Sequence, residues 1–294
     1  NTTGTQNTAV GSLALNDNTT ASLNTAIGYS ALKSTTTGAS NTAVGVNALV
    51  DNTTGARNTA SGQQALTANT TASDNTAFGY QALLTNTTGI QNTALGALAL
   101  DANTTGDYNN AFGYLALTKN TTGDRNTALA RSTLETNTTG SYNVAVGMDA
   151  LAANTTASNN TAVGYSALLA NTTGTENVAV GSNALDANTT ANGNSALGHG
   201  SLGANTTGAA NVAIGTASLQ SNTTASNNTG VGYLALGANT TGTQNVAVGA
   251  LAGDALTTGG SNSVLGYKAL SADTLGSRAV AMGDQALENQ NFTS

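Results

Sequence analysis

Set in rows of 17 from Asn1, the sequence fills seventeen rows without an insertion or deletion, and only residues 290–294 are left over. The row at 171–187, NTTGTENVAVGSNALDA, stands for the rest. A short fixed period restricts a chain more than its composition does. One repeat is too small to bury a face alone, so successive repeats must stack, each as one coil of a solenoid. The expected organisation is a single β-solenoid of 17 coils over 1–289 with a short C-terminal tail at 290–294.

Numbering each repeat 1 to 17 separates fixed positions from variable ones. Position 2 is always Thr, position 7 is Asn except at Ala279, and position 11 is Gly except at Ala130. Position 15 is Leu except at Gly253, and position 10 is Val, Ile, Leu, Phe or Met except at Ser61. Positions 5–6, 12–13 and 16–17 vary and carry 20 of the 21 charged residues, Asp273 being the exception. Charged side chains stay out of cores unless paired, so three wet segments alternate with three fixed ones. Positions 10 and 15 are then the expected core, exemplified by Val10, Leu15, Val180, Leu185, Phe78 and Phe112.

The run at positions 7–11, Asn-Thr/Val-Ala-Val-Gly, is β-branched and bounded by Asn and Gly, which reads as a strand. Alternation puts positions 8 and 10 on one face, taken as the inner one. Ala at 9 and Gly at 11 then form a flat outer face suited to packing on another chain. A second strand over positions 14–16 and a third extended piece at Asn-Thr-Thr complete the coil. Helix is disfavoured, because a Gly or Asn every few residues costs up to ~1 kcal/mol each. The reading is all-β, a parallel β-solenoid or β-roll.

Asn at position 7, as in Asn7, Asn24, Asn41, Asn143 and Asn177, reads as a ladder in which each side-chain amide pairs with that of the next coil; position 1 reads the same way. Asn-Thr-Thr is also a glycosylation sequon, present in 14 of the repeats,. The ladder is its main purpose, and glycans on top of it remain open for a secreted chain. Position 4 is Ala in five repeats, at Ala21, Ala72, Ala157, Ala191 and Ala225. Those repeats carry Tyr29, Tyr80, Tyr165, His199 and Tyr233 at position 12, where they read as surface contacts. Either positions 4 and 12 are neighbours, or a two-repeat unit was duplicated with both residues in it.

The side chains of catalysis are scarce. The chain has no Cys and one His, which excludes a Ser–His–Asp or Cys–His arrangement apart from any use of His199. Acidic residues are scattered singly, unlike the Asp of every coil in calcium-binding β-rolls. Gly-x-x-x-x-Gly spacings follow from the period and lack the Lys of a phosphate loop. The expectation is no enzyme, no cofactor and no metal. A net charge of −7 offers no basic footprint for nucleic acid,. No stretch of 18 apolar residues marks a membrane span.

The recurring NTAVGxxAL, with Asn-Val-Ala-Val-Gly at 143–147, 177–181 and 245–249, resembles the head repeats of trimeric autotransporter adhesins. It resembles still more closely the NTTG-x-x-NTA-x-G-x-x-AL arrays of bacterial surface proteins and phage-type tail-fibre proteins. The resemblance covers residues 1–289. It implies a left-handed parallel β-roll, often three chains side by side, used as a stalk or adhesive head at a cell surface or on a virion. The implied partners are copies of the chain itself, assembled as a trimer or head to tail, and a host surface or glycan. An ice-binding solenoid built on the Thr ladder and the shaft of a viral tail fibre are the alternatives.

Overall fold

The computed structural model of the chain describes residues 1–291; within the expected tail, residues 292–294 lie outside the described residues. The protein is an all-β parallel β-solenoid with a 17-residue spacing. Among the described residues, each repeat contributes one three-residue strand at positions 8–10. The chain divides into two compact units, residues 1–143 and 144–294. Strands Thr8–Val10 to Thr127–Leu129 belong to the first unit, and Val144–Val146 to Val280–Met282 to the second. Register is strictly 17: Thr8 faces Thr25 in the first unit and Thr161 faces Val178 in the second.

The expected second and third strands are not strands. Positions 14–16 and Asn-Thr-Thr still ladder from coil to coil, as Leu15 N–H to Ala31 O at 3.1 Å and Thr2 N–H to Thr19 O at 2.8 Å show. Left-handed residues interrupt them. Positions 6, 13 and 15 hold φ between 50° and 67° in every coil described, and position 11 holds φ between 121° and 143°. Four such residues in 17 turn the chain back on itself without proline. Position 11 favours glycine twice over, Ala130 being the exception: its φ is costly for most L-residues, and a Cβ on Gly11 would lie 2.6 Å from the Gly28 carbonyl oxygen of the next coil.

The core also differs from the expectation in which strand face it uses. Past the first coil, position 9 points inward and is buried, so positions 8 and 10 point out. Val10 is 57% exposed and Phe78 48%, and Val180 and Phe112 are half-buried. Leu15 and Leu185 are buried as expected. Past the first coil the inner wall is therefore made by positions 9, 14 and 15, such as Ala26, Ala31 and Leu32, together with the Asn of positions 1 and 7. Opposite the leucine the coil takes alanine in all but two repeats, the exceptions being Gly230 and the buried Val264. The spread at position 10, from Ser61 to Phe78, is itself wrong for a close-packed site, which tolerates little change of volume.

Where a core residue departs from the consensus, a neighbour compensates. Gly253 replaces the position-15 leucine, and Leu256, replacing the next asparagine, is fully buried in its place. A Cβ on Gly253 would lie 3.1 Å from the Leu256 side chain. Ser218 replaces a core alanine and donates to Gly230 O at 2.9 Å. Gly230 replaces the alanine that a Cβ would set 2.6 Å from that hydroxyl.

Candidate interaction surfaces

The buried asparagines hold the coils together and leave the surfaces to other residues. At position 1 the ladder is amide to amide, as Asn69 Nδ2 to Asn52 Oδ1 at 2.9 Å, and the same Nδ2 also donates to Ala72 O at 3.0 Å. At position 7 the amide also bridges backbone groups. Asn24 N–H donates to Asn7 Oδ1 at 2.9 Å, and Asn7 Nδ2 donates to Ala21 O at 2.8 Å. Asn41 repeats the bond to Asn24, and Asn143 and Asn177 make theirs to Asn126 and Asn160. The amide-to-amide ladder expected at both positions runs along position 1, and at position 7 it is made in some coils beside the backbone bonds, as Asn143 Nδ2 to Asn126 Oδ1 at 3.2 Å and Asn177 Nδ2 to Asn160 Oδ1 at 3.3 Å. Inside each unit the sequon asparagines are buried with their Nδ2 engaged, which withdraws them from a glycosyltransferase in the folded chain.

The outward strand face carries two in-register columns, at positions 8 and 10. Neither contains a charged residue in any repeat, although the chain has 21. Ile27, Phe78, Leu95 and Leu129 stand exposed on it in the first unit, and Leu197, Ile214 and Leu265 in the second. The strand alternation predicts this face inward and the Ala/Gly face outward; the structure has them reversed.

The Thr-Thr pair splits by role. Position 2 hydroxyls donate to the next coil's carbonyl, as Thr53 Oγ1 to Thr70 O at 3.0 Å. Position 3 threonines are exposed and form a single column; a flat double column of threonines is not present on this edge.

Tyr29, Tyr80, Tyr165 and Tyr233 are about half exposed and His199 is exposed, so position 12 lies at the surface. They are spread along the coils and not gathered into one site. Ala21, partner of Tyr29 in the repeat pattern, is buried, and the atoms nearest a Cβ at Gly4 are the next coil's Ala21 carbonyl and the Asn1 amide. Position 12 therefore does not set the space at position 4. Position 6 forms clusters that the repeat pattern does not announce. Arg125 sits over the Tyr108 and Tyr142 rings at 5.0 and 5.4 Å, and its Nη1 donates to Tyr142 Oη at 3.0 Å. Arg57 pairs with Asp74 one coil on, at 2.6 Å, which lowers the Asp74 carboxyl below its ordinary value through the hydrogen bond.

Three position-16 carboxylates lie half-buried: Asp101, Asp186 and Asp254. Burial pushes each above the ordinary carboxylate value. Asp101 is the best satisfied, since Thr118 Oγ1 of the next coil donates to it. Among the described residues no group of three His, Cys, Asp or Glu side chains is placed to hold a metal ion, and no helix is long and apolar enough to cross a membrane. In comparison with known proteins, the chain matches no family model and no curated sequence.

Proposed function

We propose that this chain is a structural segment of an extracellular fibre or adhesin, in which copies of the solenoid lie side by side with their strand faces together. The observation that carries the reading is the uncharged, apolar column at position 10, exposed in both units. Apolar surface of that regularity, flanked by β-branched residues at position 8, is an interaction surface by its chemistry. Neighbouring side chains within a column stand about 4.8 Å apart, a spacing that a second copy in parallel register reproduces. The resemblance to adhesin-head and tail-fibre repeats supports the same reading and favours three copies.

Light scattering on the purified chain tests it. The expected mass is a multiple of 28.7 kDa, three being the leading value. Leu95→Glu and Leu197→Glu, both on the exposed face, should return the mass to one copy with the β circular-dichroism signal intact. A native chain of 28.7 kDa at micromolar concentration overturns side-by-side assembly.

A further inference from the structure

Position 16 in five consecutive coils of the second unit reads Asp186, Gly203, Gln220, Gly237, Asp254, and glycine holds this position in no other repeat. Gly200 removes a second side chain from the coil that holds Gly203. The result is a notch of about 510 Å³, with Asn183 and Asp186 on one wall, Gln220 and Ser221 on the other, and the Gly200–Gly203 backbone as floor. Its walls belong to coils two apart, so they stand roughly 10 Å from each other. A smaller notch of about 180 Å³ continues over Gly237 to Asp254. The first has the volume of a small-molecule site, roughly 300–1,000 Å³.

The groups around it are only partly engaged within the chain: Asn183 Oδ1 accepts from Ser182 Oγ at 2.9 Å, and the Asp186 carboxylate accepts from the backbone N–H groups of Asp186 and Ala187. At position 16 of an earlier coil Asp101 accepts a hydroxyl from Thr118 of the next. Opposite Asp186 the equivalent residue is Gly203, and the side-chain donor to Asp186 is Asn183 Nδ2 at a long 3.5 Å. The backbone ladder also shifts at the notch. Ala170 donates to Asp186 O, Ala204 to Gln220 O, Ser221 to Gly237 O and Ala238 to Asp254 O, at 2.9 to 3.2 Å. The corresponding bonds from Ala187 to Gly203 O and from Ala255 to Ser271 O are not made among the described residues, the Ala187 and Ala255 N–H groups turning to the carboxylates of Asp186 and Asp254. At the far end Asp254 Oδ1 is buried with no hydrogen-bond partner.

We propose that this notch binds a saccharide, one sugar hydroxyl donating to Asp186 in the place that Thr118 takes at Asp101. Asn183, Gln220 and Ser221 each donate and accept, as sugar hydroxyls do. A divalent cation asks instead for six or more oxygen ligands, several of them charged, and the notch offers one carboxylate. None of its residues is on the strand face. The inference rests on the adhesin reading and gives it a ligand class.

The test is an NMR titration of the ¹⁵N-labelled chain with the methyl glycosides of glucose, galactose, mannose and N-acetylglucosamine, with calcium chloride as a separate arm. At least one glycoside should shift the amides of Ala187, Gly203 and Ser221. Gly203→Thr, which rebuilds the Thr118–Asp101 pair inside the notch, should weaken that binding by about tenfold or more. Position 16 already carries bulky Leu84 and Leu169, so this variant folds. Asp186→Asn keeps the shape and should weaken binding as well. No glycoside shift at the notch, equal binding by Gly203→Thr, or a response to calcium alone each overturns the proposal. Molecular mass read on the same samples separates the two ideas: one-copy mass with notch binding retained counts against the fibre and not against the notch.

Discussion

At the scale of the residue, the fold depends on a leucine in a conformation that leucine seldom adopts. Position 15 holds φ near 52° at Leu83 and its equivalents, a region that costs an L-residue of the order of 1 kcal/mol. Complete burial, at about 1.5–3 kcal/mol for a leucine, outweighs that cost. Leu83→Ala should therefore destabilise by about 2–5 kcal/mol. In the same coil, Phe78→Ala should leave the melting of the dilute chain nearly unchanged, because Phe78 lies outside the core. Equal losses in thermal melts would contradict the assignment of faces. Ala130 presents the opposite case. Its φ of 132° is one that every other coil gives to glycine, at an expected strain of about 1–3 kcal/mol. Ala130→Gly should stabilise by about 1 kcal/mol once the extra flexibility of unfolded glycine is subtracted, and a lower denaturation midpoint would refute the strain.

At the scale of the element, the coil behaves as a closed volume with two asparagine ladders. Exchanging Leu for Gly at 253 was matched by Asn for Leu at 256, at the cost of a ladder step: Asn239 Oδ1 is left buried without a partner. Asn18 Oδ1 is orphaned in the same way where Thr35 interrupts the column. Gly253→Leu alone should overpack the coil by about 1–3 kcal/mol, and Leu256→Asn alone should empty it. The double variant restores the consensus and should recover most of both losses, a coupling of up to ~3 kcal/mol. Additive losses in a double-mutant cycle would show that the two residues do not share the cavity.

At the scale of the whole molecule, charge and apolar surface act together. The chain carries −7 at neutral pH and an isoelectric point near 4.3, so acidification removes the repulsion that opposes contact between strand faces. Asp101, Asp186 and Asp254 have folded-state values raised above the ordinary 3.8 by burial. The folded chain binds those protons more tightly than the unfolded one, so their effect on stability grows more favourable as pH falls through the raised values toward 3.8. Asp74 has the opposite sign, since its pairing with Arg57 is lost as pH falls through its lowered value; being exposed, it weighs little,. Melting temperature should accordingly rise on going from about pH 7 to about pH 4. The rise should disappear in the Asp101→Asn, Asp186→Asn, Asp254→Asn triple variant. A fall in melting temperature over that range would sink the account.

The period of 17, the absence of helix and the parallel in-register stacking were all legible in the sequence, because each follows from repetition and turn chemistry alone. Leu15 and Leu185 were legible as core for the same reason: one large apolar residue recurs where no charge ever falls. The orientation of the strand was not. An apolar column at position 10 says that it avoids water or meets a partner, and a single sequence does not separate those two. Only the closed coil decides, because it turns position 9, alanine in all but two coils, toward the leucine and leaves the valines and phenylalanines of position 10 outside. The clue was present in the volumes, since Ser61 and Phe78 do not fit one packed site. The left-handed residues were hidden for a related reason: Gln6, Leu13 and Leu15 are not types that announce positive φ, and closure of the coil imposes it on them. The notch at Gly203 depends likewise on which coils become neighbours, and residues 17 and 34 apart become walls only once the chain has stacked.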